Sequence, residues 1–119
     1  MKEPEHKKSF FRQVADEMLD GDTQRHIDEQ KRGLELHPEW AEGHYHLAQL
    51  YRVQQRPAEA KIELLTALEK EPTLADAHVA LGEILIAEDD LPNARRHAEF
   101  AAALGNSRLL EQMERWGRQ

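Results

Sequence analysis

The chain has 119 residues, 39% of them hydrophobic and 33% charged, and a formal charge of −7 at pH 7. That length suits one domain, and the acidic balance argues against nucleic acid as a partner. Cysteine is absent, which excludes disulfides, thiolate metal sites and thiol catalysis.

The first thirteen residues, MKEPEHKKSFFRQ, hold charges but no apolar stretch of secretory type, and nowhere is there an 18-residue apolar run. A cytoplasmic protein without membrane insertion is therefore expected. Residues 1–6 read as a tail. A first helix follows, and Gly21-Asp22 suits a cap between it and a second. Trp40 precedes AEGHYHLAQLYRVQ at 41–54, where Tyr45, Leu47, Ala48, Leu50 and Tyr51 fall at helical spacings. The next turn, Gln55-Arg56, lacks glycine, and a turn without a left-handed residue is expected there. Pro57 suits the first turn of a helix, and Ala60, Leu64, Ala67 and Leu68 form its stripe until Pro72 stops it. Thr73 to Asp76 has the form of a capping box with aspartate in place of glutamate, and Asp90 suits a cap before Leu91-Pro92. Gly105 can end that helix and Ser107 can cap the last one. In the last helix Leu109, Met113 and Trp116 share a face, and Trp116 is the expected anchor.

A shift of 34 residues lays the chain on itself. Pro38 falls on Pro72, His44 on His78, Leu47 on Leu81, Ala60 on Ala94 and Ala67 on Ala101. The unit is helix, short turn, helix. Its period, with Leu47, Ala48, Tyr51, Ala60, Leu64, Ala67 and Pro72 in the middle copy, resembles the tetratricopeptide repeat. The resemblance implies an all-α, right-handed α-solenoid of three helix-turn-helix repeats at 7–40, 41–74 and 75–108, closed by a capping helix at 109–119. In the first repeat, where the resemblance implies a helix around Phe10 and Val14, the pattern is carried by Phe10, Val14, Gly33 and Pro38, and it is broken by His26 where the others have Ala60 and Ala94.

The same resemblance implies a non-enzymatic adaptor or scaffold that holds a partner peptide or helix in a concave groove lined by the first helix of each repeat. Carried over by position, the groove residues are Phe11 and Met18, then Tyr45, Gln49 and Arg52, then Val79, Glu83 and Ile86. The lysine–asparagine clamp that some family members use for a peptide carboxylate is absent at these positions. An apolar segment or amphipathic helix is the expected partner, with a basic flank facing Glu42, Asp76 and Glu83. An alternative is a structural subunit that stabilises a larger complex or self-assembles through its repeat ends or convex face.

Seven histidines raise the question of metal. No HExxH motif occurs and no two histidines stand four apart, so partly buried packing histidines are favoured over ligands. His44 and His78, at equivalent positions, can approach one another but lack a third ligand. No nucleophile elbow, phosphate loop or dinucleotide fingerprint appears, so neither catalysis nor a cofactor is expected. A response of the histidines to pH is expected to be incidental.

Overall fold

The computed structural model describes residues 21–117. Within them the chain folds as six helices, with no strand among the described residues: α1 over 21–36, α2 Ala41–Val53, α3 Pro57–Lys70, α4 Ala75–Ala87, α5 Leu91–Ala103 and α6 Arg108–Gly117. The tail, the helix expected around Phe10 and Val14, and the groove positions Phe11 and Met18 lie outside the described residues. Helix α2 packs along α3, and α4 along α5. Helix α3 packs on α4, and α6 on both α5 and α4. Two hairpins are thus stacked and closed by a final helix, an all-α helical-repeat architecture in which each unit covers its neighbour's apolar side.

The seams within the hairpins are built on small side chains. Ala60 and Ala67 in α3, and Ala94, Ala98 and Ala101 in α5, are completely buried, as is Leu64. Alanine leaves room for two helix backbones to approach, while Leu47, Tyr51, Leu81 and Ile84 supply the volume around them. Tyr51 is sealed from outside by the Arg56 guanidinium, 4.7 Å from its ring centroid, and by Lys31 on α1.

Helix α1 departs from the 34-residue register. His26 is exposed and faces Glu29, while Thr23, Ile27 and Leu34 turn inward. The isoleucine carries more apolar area than the histidine, so it sets the rotation of the helix. Gly21 and Asp22 are already helical, and the Asp22 carboxylate takes Arg25 instead of capping.

The turns after α2, α4 and α5 are copies of one another. Gln55 N–H donates to the Arg52 carbonyl and Arg56 N–H to the Tyr51 carbonyl. Asp89 and Asp90 repeat this on Ile86 and Leu85, and Gly105 and Asn106 on Ala102 and Ala101. These are the paired bonds of a Schellman ending, which needs a left-handed residue. Gln55 (φ 58°), Asp89 (φ 62°) and Gly105 (φ 103°) supply it. The expectation for Gln55 was therefore wrong: the repeat spacing dictates the turn, and glutamine accepts the strained conformation that glycine would adopt freely.

The helix starts follow a different logic. Asp90 caps α5 as expected, accepting from the Asn93 N–H and side-chain amide. The capping box before α4 does not form. Leu74 occupies the N-cap and packs on the core, and the Asp76 carboxylate accepts from the Asn106 amide instead. Trp40 holds the equivalent place before α2. Its ring lies across Gly43, where a Cβ would collide with Trp40 Cε3. Before α2 and α4 alike, apolar packing replaces a polar cap. At α6 the Ser107 hydroxyl donates to Glu111, and Asn106 Oδ1 accepts the Arg108 N–H. Leu109 and Met113 anchor this helix, whereas Trp116 is 47% exposed and is not the anchor expected from its size. Leu109 seats against Gly82, where a Cβ would lie 2.6 Å from Leu109 Cδ2.

Candidate protein-binding groove

The groove positions of α2 and α4 form a connected polar chain. Gln49, one turn after Tyr45, donates to its hydroxyl at 3.4 Å. Arg52 donates to Gln49 Oε1 at 3.1 Å and, across the joint between repeats, to Glu83 Oε1 at 3.2 Å. Arg108 at the start of α6 approaches the other oxygen of Glu83 at 3.9 Å. Helical spacing puts Tyr45, Gln49 and Arg52 on one face of α2, and the 34-residue shift puts Glu83 on the matching face of α4. Burial, and next the Asp76 carboxylate, hold the Tyr45 phenol above its ordinary range, so it stays protonated and remains a hydrogen-bond donor.

Four of the eight sequence-derived positions thus converge. Ile86 lies beside them and packs partly on the core. Val79 does not line an open surface: it is 3% exposed, because α4 is covered by α3, α5 and α6 and little of its circumference stays free. Glu83 is shared by two arginines, so of the three carboxylates expected to meet a basic flank it is the least available. Asp76 holds Asn106.

Next to this chain is an open depression of about 360 Å³ lined by Arg52, Gln55, Pro57, Glu83, Ile84, Ala87 and Glu88. Its floor is apolar and its rim charged. Lys61 donates to Glu88 at 2.7 Å and closes one side. Gln55, Pro57 and Glu88 belong to turns and helix ends, so a reading by helical position passes over them. The recurrence of the turn at Gln55 and Asp89 was the signal available for them.

The two equivalent histidines do not approach each other. Each is held by the proline that ends the preceding repeat and by a side chain of its own repeat. His44 Nε2 lies 3.0 Å from the Pro38 carbonyl and its Nδ1 lies 2.8 Å from Glu63 Oε1. His78 Nε2 lies 2.9 Å from the Pro72 carbonyl and its Nδ1 lies 3.1 Å from His97 Nδ1. Among the described residues, no three His, Asp or Glu side chains are grouped as metal ligands.

No family model and no curated protein matches the sequence. Among solved structures the chain is similar to the one described as the crystal structure of MamA, with a TM-score of 0.66, 20% identity and 89% of this chain covered. It spans 57% of that chain's length. The likeness is one of fold, a tetratricopeptide-like helical repeat. Among the described residues no helix is long and apolar enough to cross a membrane.

Proposed function

We propose that the chain is a tetratricopeptide-repeat interaction module, without catalytic activity, that works in the cytoplasm and holds a peptide or helical segment of a protein partner against α2 and α4. The observation that carries this reading is the joint at Arg52. There the polar chain from Tyr45 to Glu83 borders an open depression floored by Pro57, Ile84 and Ala87. Such a surface offers oriented donors beside apolar area, which suits a short amphipathic segment. The exposed Val53 extends the apolar strip along α2.

The reading is tested with segments of proteins that co-purify with the chain, each made as a synthetic peptide and titrated against the wild type and a Tyr45→Ala/Arg52→Ala double variant. Binding should fall at least tenfold in the variant while its melting temperature stays within a few degrees of the wild type. Undiminished binding by a folded variant would exclude this face.

A second reading is favoured by Ile62 and Leu65, which stand 62% and 53% exposed on α3. Such side chains suit self-assembly through the outer face of the stack. Sedimentation equilibrium of the wild type against Ile62→Lys separates the two readings, because only the second predicts a concentration-dependent mass that the substitution abolishes.

A further inference from the structure

The second and third repeats place a histidine at the same point, bind its Nε2 to the carbonyl of an equivalent proline, and then differ in one partner. In the second repeat Nδ1 of His44 meets the Glu63 carboxylate; in the third, Nδ1 of His78 meets Nδ1 of His97. Glu63 and His97 are themselves 34 residues apart. A carbonyl only accepts, so His78 Nε2 carries a hydrogen, and the neutral ring presents a bare Nδ1. His97 must then donate through its own Nδ1–H. The tautomers are assigned from these partners.

The arrangement accommodates one added proton. Whichever ring takes it donates through Nδ1–H to the bare Nδ1 of the other, and the bond between the two Nδ1 atoms survives. A second proton leaves neither Nδ1 bare. Two N–H groups on two cations then face each other across 3.1 Å, and the contact fails. The surroundings do not relieve this charge. Arg96 on α5 adds to it, and Glu99 on the same helix faces Arg95. Helix α6 brings Glu114, which faces Arg95. On α4, Glu83 is held by Arg52 and Arg108 and Asp76 by Asn106. On α3, which packs on α4, Glu63 is held by His44 and Lys70 faces Glu39. Among the described residues neither ring pairs with a carboxylate. In the second repeat the same protonation completes an ion pair.

We propose that His78 and His97 form an acid-operated latch that releases α5, and the capping helix carried on it, from α4 while the second repeat stays closed. Phe100 stacks on His78 with centroids 5.4 Å apart, so opening also uncovers an aromatic face. Burial, then His78 and then Arg96, hold the His97 imidazole below its ordinary range. The folded form therefore binds fewer protons than the unfolded chain. The latch is fully effective above about pH 6.5, the ordinary histidine value, and weakens as the pH falls below it.

Hydrogen exchange of α5 amides, referred to α3 amides, tests this between pH 7.5 and 5.5 after correction for intrinsic exchange. In the wild type α5 protection should fall relative to α3, by up to about tenfold per pH unit for one linked proton. His97→Gln keeps an amide donor to His78 but cannot titrate, and should flatten the difference. His97→Glu rebuilds the pair of the second repeat and should reverse its sign. Equal pH dependence in wild type and His97→Gln would overturn the latch. Imidazole resonances of the wild type give a second reading that needs no variant: the pair should titrate in two separated steps, the lower one moving the Phe100 ring signals. A single shared step that leaves Phe100 unmoved would also overturn it.

Discussion

The second and third repeats share a backbone and differ in how they end. Leu47 and Leu81, Ala60 and Ala94, and Ala67 and Ala101 fill the same places, and the turns at Gln55 and Asp89 make the same bonds. The side chains part company where the neighbour changes. The second repeat has Ala48 and Leu64 and passes its apolar side to α4. The third has Gly82 and Ala98 at those positions and receives Leu109 from α6. The period thus specifies the path of the chain, and side-chain size at these two positions specifies whether a repeat continues the stack or is closed. The histidine positions carry the same lesson into electrostatics, since one exchange between Glu63 and His97 turns a histidine–carboxylate contact into a pair of facing imidazole rings.

This comparison can be broken at its seams. Leu64→Ala empties a fully buried place in the second repeat and should cost about 2–5 kcal/mol, read from urea unfolding. A loss well below that range would mean that the seam is not close-packed. Gly82→Ala gives the third repeat the residue of the second. The added methyl meets Leu109, so a loss of about 1–3 kcal/mol is expected, with α6 amides exchanging first. Ala60→Leu should cost a similar ~1–3 kcal/mol by overpacking α2 against α3, and an unchanged melting temperature would mean the register is misplaced. Gln55→Gly relieves a left-handed non-glycine residue and should raise stability by up to ~1 kcal/mol; Asp89→Gly should act alike, because the turns are copies. Trp116→Ala should change stability by no more than about 0.5 kcal/mol, which distinguishes a half-exposed ring from an anchor.

The repeat was legible because it is written in residue size. Alanine at 60, 67, 94 and 101 and leucine at 47 and 81 leave few alternatives to a stacked hairpin, and Pro57 and Pro72 frame the helix between them. The helix starts were less legible. A capping box is a local pattern, and at Leu74 the gain from burying a large apolar side chain outweighs the polar cap that Thr73 and Asp76 suggest. The turn at Gln55 was misread for a related reason: its residue type argues against a left-handed conformation, but the spacing of the packed helices requires one. In the groove, helical spacing placed Tyr45, Gln49 and Arg52 together and the period added Glu83. Position alone did not reveal that Val79 is covered, because burial depends on how many helices surround α4. The histidine partners were invisible for the same reason: Glu63 and His97 lie 19 residues after the rings they face.

The central claim is that the 34-residue period sets a stack in which the last helix closes on the third repeat. The most direct measurement is the nuclear Overhauser effect between the Gly82 α-protons and the Leu109 methyl groups. Strong cross-peaks, with helical carbon shifts through 75–87 and 108–117, are the predicted result. Helical shifts without those cross-peaks, or extended shifts in either segment, would contradict it.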